Sequence, residues 1–412
     1  MRKPFASLMT GLVLLATVVV PQLPMRFGAP NMVYGLLLVV GLNAFLFAAL
    51  CALHGLRHSL GRLAIIFFVV LVVVYCQGML SFFINTTFNI DRFLQSYVFL
   101  IIFVFGASFL VSLAQASPKY RVDFAVKLVF YVLLLTALVT ILGYRALGNP
   151  SAVGSFSENS HYALSFLPFL LYIVVLSSWR KKCFFLFIGF LIPLFLKSLT
   201  LLVGVMVVAI IVLRLRQLLL LSIIAIPILI LMVSIDFIDI VHFSNRVNFS
   251  NPNLSVISFM NGWERAYVHL KDSYGIGIGF QQFGFIISER ETEMFELLFS
   301  IASQNLNLYD GSISASKFIS EFGILAVMLL MAYLVYFVRS VRWLHEVSMN
   351  GGETVDFRKV FFLACFVMFF IDLFIRGVGY FSASGFLFIA SLVWIGLPPA
   401  SRTPLRITRD GE

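Results

Sequence analysis

Charge is what this chain has least of. Only 12% of its 412 residues are Asp, Glu, Lys or Arg, against roughly 25% in a soluble globular protein. That shortage excludes a soluble enzyme. The 61% share of hydrophobic residues and mean hydropathy of +1.01 exclude a disordered chain. Cysteine is scarce as well: Cys51, Cys76, Cys183 and Cys365 lie in or beside apolar runs and lack metal-ligand spacing. A secreted disulfide scaffold is therefore excluded. There is no internal repeat, no low-complexity segment and no matched pair of Gly/Pro-interrupted runs of the kind that marks many transporters. The N-terminal MRKPF and the apolar run to Val20 are followed by PQLPMRFGAP, which has no small-x-small cleavage pattern. An uncleaved first span is the expectation.

What the chain has is long apolar runs. Segments such as 31–53 and 93–114 suffice to cross a bilayer core. Spans must be helical, because lipid offers no partner to backbone N–H and C=O groups. Twelve are expected, near 5–22, 31–53, 63–84, 93–114, 124–143, 161–178, 183–197, 199–213, 217–234, 317–338, 360–376 and 380–397. The seventh and eighth form either two spans or one long tilted helix kinked at KSLT (197–200). The expected fold is all-α, a polytopic integral membrane protein with about twelve transmembrane helices. An N-terminal membrane bundle (1–234) is followed by a long periplasmic loop containing short helices (235–316), C-terminal membrane helices (317–397) and a cytoplasmic tail (398–412).

The net charge of +10 is a topology signal. Nineteen of the 29 basic residues fall in alternate connections and the two termini, with six acids; the other side carries ten basic residues and twelve acids. By the positive-inside rule both termini are cytoplasmic and the long loop faces outward. The basic excess thus gives no support to nucleic-acid binding. The long loop combines Asn/Ser clusters with Trp263, Ala266, Tyr267 and Leu270 at helical spacing, and loops of this length are commonly functional.

On the outer side, Arg145, Arg246, Arg265, Lys317 and Arg376 are candidates for binding phosphate, because a guanidinium meets phosphate oxygens bidentately and keeps its charge at an interface. Interfacial arginines also snorkel to lipid headgroups, which is the bland reading of any one of them. Glu158 and Glu321 are candidate bases or orienting carboxylates beside or within apolar helices, where an unpaired acid is costly. Glu321 has Lys317 as a structural i,i+4 partner, and Asp372 has Arg376. His161 follows Glu158 at the mouth of a span. His54 and His58 have helical ligand spacing but no third ligand, so no metal and no cofactor is expected. YGIGIGF (274–280) lacks the strand–turn–helix setting of a nucleotide loop and reads as a tight turn.

Four segments resemble the bacterial O-antigen polymerase family, within the O-antigen ligase/polymerase superfamily of polytopic glycosyltransferases. FSENSHYAL (156–164) resembles its Glu-containing loop, and WERAYVHLKDSYGIGIGFQQFG (263–284) its Arg-bearing helix with a Gly-x-Gly turn. NLYDGSISASKFISEFGILA (307–326) is similar to its return to the membrane ending in Glu-x-Gly, and KSLTLLVG (197–204) to its short turn between spans. Tyr309-Asp310-Gly311 stands where the ligase branch has a His-Asn pair, which favours a polymerase over a ligase. Spans nearly free of charge disfavour a lipid-linked oligosaccharide transporter. The resemblance implies transfer of a glycan from undecaprenyl diphosphate to a new lipid-linked repeat unit at the periplasmic face of the inner membrane. It implies Glu158, Arg265 and Glu321 as catalytic, and Arg145, Arg246, His161, Tyr309, Asp310, Lys317 and Arg376 as substrate-binding. The implied partners are the lipid-linked oligosaccharide, membrane lipids and a chain-length regulator.

Overall fold

The computed structural model describes residues 3–26, 33–54, 60–85, 87–147, 153–154, 156, 158–220, 223, 227, 254–285, 292–302, 308–350 and 355–397. The described residues form helices and turns, with no strand. In chain order the helices are α1 (Lys3–Val19), α2 (Leu23–Arg26), α3 (Val33–His54), α4 (Leu60–Ile84), α5 (Ile90–Ala116), α6 (Lys119–Leu147), α7 (Asn159–Val175), α8 (Trp179–Phe195), α9 (Leu199–Val212), α10 (Leu254–Asp272), α11 (Glu293–Ala302), α12 (Ser314–Phe322), α13 (Ile324–Met349), α14 (Phe357–Phe374) and α15 (Ala383–Gly396). Among the described residues four segments are long and apolar enough to cross a membrane: Phe67–Ile84, Ile90–Ala116, Lys119–Gly143 and Ile324–Met349. Shorter apolar helices, α7, α9 and α15 among them, accompany these four.

The helix α7 is the centre of the bundle. Every residue from Tyr162 to Val175 is buried, as an all-apolar helix requires. α9 lies against it at Gly204, where a Cβ would come within 2.2 Å of a Leu167 methyl; small residues let helices approach closely in this way. Phenylalanine fills much of the remaining interior. Phe369 of α14 stacks on Phe388 of α15 with centroids 4.0 Å apart, and Phe362 stacks on Trp394 at 5.0 Å. Elsewhere α4 turns Phe68, Val73, Leu80 and Phe83 outward.

One helix boundary differs from those read in the sequence, and of the two readings left open for 183–213 the structure takes two helices. The apolar run at 183–213 is two helices, α8 and α9, separated by a turn in which Lys197 has φ +52°. Ser198 caps α9 by accepting a hydrogen bond from the Leu201 N–H. The expected span 317–338 is divided at Gly323, whose φ of +59° ends α12, and the long helix beyond it runs from Ile324 to Met349. Hydropathy passes over this break because Phe322 and Ile324 are both apolar. The expected span 217–234 lies mostly outside the described residues, as do Arg246 and His58. Arg145 falls in α6 and His54 in α3, and their side chains are also outside the description.

Candidate functional site

The segment after α10 is built by glycine. In YGIGIGF, Gly275, Gly277 and Gly279 all have positive φ (+83°, +86° and +102°), a region costly for other residues. Contact requires glycine here too: a Cβ on Gly277 would sit 2.4 Å from the Glu321 carbonyl oxygen, and one on Gly323 2.0 Å from that of Gly275. Three backbone hydrogen bonds lock the turn to the α12–α13 break: Ile278 N–H to Ser320 O (2.9 Å), Gly279 N–H to Glu321 O (3.0 Å) and Ile324 N–H to Gly275 O (2.8 Å). From α4, the Gln77 amide donates to the carbonyls of Glu321 (2.7 Å) and Ile276 (3.1 Å), and the Ser81 hydroxyl donates to that of Gly277 (3.0 Å).

Beneath this turn lies a buried charged cluster. Arg265, on the inward face of α10, is wholly buried. Its Nη2 donates to the Leu308 carbonyl at 2.9 Å, and its guanidinium carbon lies 3.7 Å from the centre of the Phe283 ring. Lys317 Nζ donates to the neighbouring Tyr309 carbonyl at 2.6 Å and stands 3.9 Å from Glu321 Oε1. Glu321 Oε1 also accepts from the Phe283 N–H at 3.3 Å. The Tyr380 ring lies over Lys317 at 5.2 Å. The i,i+4 pair expected between Lys317 and Glu321 is present, and it serves a larger purpose: two cations hold consecutive carbonyls of the Leu308–Tyr309 turn. His269, one helical turn after Arg265, meets the same Phe283 ring edge-on. Burial, reinforced by the Arg265 charge, pushes its pKa down to about 3, so it is neutral at physiological pH.

A second group of charges lies at the open edge. Arg376 Nη2 donates to Glu158 Oε2 at 3.2 Å, and Ser160 Oγ donates to the same oxygen at 2.8 Å. His161 lies within electrostatic reach of Glu158, Arg376 and Asp310. Burial raises the Glu158 pKa, but the His161 and Arg376 charges with the Ser160 and Arg376 hydrogen bonds outweigh it, and the net shift is downward. Glu158 is therefore ionised at neutral pH, and its side chain is 53% exposed. Tyr309 and Asp310 are also exposed, on the far side of the turn that Arg265 and Lys317 grip.

The sequence-expected pairing of Asp372 with Arg376 is not what forms. Asp372 accepts hydrogen bonds from Ser314 and Ser384, while Arg376 lies beyond the end of α14 and turns to Glu158. The i,i+4 rule presumes a continuous helix, and α14 stops at Phe374. The segment after it is tied to the same site, with Gly377 N–H bonded to Ser312 O at 2.8 Å.

Thus Glu158, His161, Asp310 and Arg376 share the open edge, the exposed Tyr309 packs against Phe285 and Arg92, and Arg265, Lys317 and Glu321 are buried. Several supporting residues escaped sequence reasoning. Gln77 had a signal, an amide inside an apolar span. Phe283 and Tyr380 had none, because an aromatic residue in a 46-Phe chain draws no notice. Arg92, one of the ten basic residues on the outer side, is another supporting residue. Its Nε donates to the Gln281 carbonyl (3.0 Å), and its guanidinium faces Phe285 and Tyr309. Compared with known proteins, the chain matches no family model and no curated sequence, so its functional reading rests on its own residues and geometry.

Proposed function

We propose that the chain is a polytopic inner-membrane glycosyltransferase of the polymerase kind. In this reading it moves a growing glycan from undecaprenyl diphosphate onto the terminal sugar of a new lipid-linked repeat unit at the periplasmic face. One observation carries the reading: segments distant in sequence and similar to that family's motifs converge on one charged site. Glu158 comes from 156–164, the glycine turn and Arg265 from 263–284, and Tyr309, Asp310, Lys317 and Glu321 from 307–326. The fourth segment, 197–204, begins one residue after Leu196, whose carbonyl accepts from Asn159 Nδ2 at 2.6 Å.

In the proposed reaction the acceptor hydroxyl oxygen bonds the anomeric carbon of the donor. The carbon–oxygen bond to the diphosphate breaks, and the diphosphate leaves with the electron pair. Arg376, at the open edge, meets the departing charge, and Glu158 orients the hydroxyl and takes its proton. Positioning and charge neutralisation of this kind supply most of such a rate enhancement, with general-base assistance adding roughly 10²–10⁴-fold. Arg265 is fully enclosed, so its part is to fix the Tyr309–Asp310 turn and add positive potential from behind. The twelve-span arrangement, the cytoplasmic termini and the outward orientation of the site belong to the same proposal.

The decisive experiment is a surface-glycan gel of a deletion strain complemented with variants. Deletion is expected to leave a single repeat unit on the lipid A core, and Arg265→Ala to lose long chains while single units still reach the surface. Lipid-linked polymer accumulating with a bare core would instead indicate the ligase. A bare core with cytoplasmic intermediates would indicate the transporter.

A further inference from the structure

Among the described residues, α10 buries the face that carries the charged cluster and leaves an apolar face turned outward. Ile257, Asn261, Arg265, Ala266 and His269 form the buried face. On the opposite side Met260 is 41% and Tyr267 68% exposed, one heptad apart, with Trp263 half-buried between them. Glu264, on the same side, is half-buried and accepts from the N–H groups of Glu293 and Met294 at the start of α11. Where α10 ends, Tyr274 is 89% exposed, and the next residue, Gly275, accepts a hydrogen bond from the N–H of Ile324, the first residue of α13. From Ile324 the exposed apolar surface continues along that helix through Met328, Met331 and Val335 at i, i+4, i+7 and i+11, the outward stripe of a candidate membrane span.

We infer that α10 is an interfacial helix whose Met260–Tyr267 face, with Tyr274, is seated in the membrane leaflet that the start of α13 enters. The occupant of the face is lipid, because beyond the exposed charges Lys271 and Asp272 at the end of α10 the apolar stripe resumes at Tyr274 and meets, at Ile324, the outward apolar surface of a candidate membrane span. Tyrosine is suited to that depth, with its ring among acyl chains and its hydroxyl at the headgroups. Lys271, exposed one turn beyond Tyr267, is placed to reach headgroup phosphates along its aliphatic stem. An amphipathic helix lying in this way buries its apolar face about 5–10 Å into the headgroup–acyl boundary. The consequence is for the site: Arg265 and His269 project from the other face of the same helix, so the membrane sets the depth of the charged cluster. The inference requires α13 to span a membrane and holds whether or not the chain transfers sugars.

The test uses the full chain, its native cysteines replaced by alanine, in vesicles of phosphatidylethanolamine and phosphatidylglycerol. Nitroxide labels are placed at Met260→Cys, Tyr267→Cys and, as an aqueous control, at the exposed Asp91→Cys in the first turn of α5. Collision rates with oxygen and with a water-soluble nickel chelate are then compared. Labels at 260 and 267 are expected to favour oxygen several-fold relative to the label at 91. Nickel accessibility equal to that at 91 would overturn the inference by placing α10 in water. Protection from both reagents would overturn it in another way, by showing that a second protein surface covers the stripe.

Discussion

Glu158 and Arg376 illustrate how little a pair can contribute to stability while still mattering for chemistry. A half-exposed ion pair is worth ~0–1 kcal/mol. Arg376→Ala is accordingly expected to leave the thermal transition within a few degrees of wild type while abolishing long-chain synthesis, with circular dichroism in detergent and the glycan ladder as the two readouts. The depressed pKa of Glu158 fixes the sign of the pH dependence. A carboxylate whose folded pKa lies below its unfolded value gives stability present above the unfolded value and lost as pH falls through the folded one. Between pH 5 and 8 the carboxylate stays charged, so wild-type activity should show no inflection from this group. Glu158→Gln should lower the rate by about 10²-fold or more across the range if Glu158 is the base. An acid limb near pH 6 that disappears in the Gln variant would contradict the assignment. Both residues were legible as candidates from their place at helix ends. Their partnership was not, since 218 positions separate them.

At the scale of elements, the glycine turn and the α12–α13 break form one interlocked unit. Neither has room for a side chain at its contact point. Gly277→Ala adds a Cβ 2.4 Å from a backbone oxygen at φ +86°, where nothing flexible can yield. Strain of this kind costs about 1–3 kcal/mol, and the variant is expected to show a lowered melting temperature together with lost activity. Gly143→Ala, with nothing within 4 Å of the added carbon, should be neutral by both measures. The helical spacing of Trp263, Ala266, Tyr267 and Leu270 correctly marks α10 as a helix, yet not which side is buried. Arg265 and His269 point inward and Tyr267 outward, the reverse of their polarities. A burial pattern set by a specific charged cluster, with lipid as the other neighbour, cannot be read from hydrophobic periodicity alone.

Across the whole molecule, links near the start of α5, such as Asn89 N–H to Gln282 Oε1 at 2.7 Å, lie about 40 Å from those at its end. At that far end Arg358 donates to the Gln115 carbonyl at 3.1 Å, and Lys182 donates to Ser348 on α13. The candidate site occupies one end and the densely basic connections the other. If the positive-inside reading holds, alkaline phosphatase fused after Gly396 should be inactive, and the same reporter inserted after Ser117 should also be inactive. A fusion within 148–152 should be active, and the opposite pattern would invert the proposed orientation. Scarcity of charge and length of apolar runs determined by themselves that the chain is helical and suited to a membrane, because lipid leaves the backbone no other way to satisfy its hydrogen bonds. They also carry the proposed sidedness of the charges. Only the tertiary structure decided that a span breaks at Gly323, that Arg376 leaves Asp372 for Glu158, and that Arg265 grips a carbonyl 43 residues away. Those outcomes depend on backbone conformation and on contacts between distant segments, and local hydropathy carries no information about either.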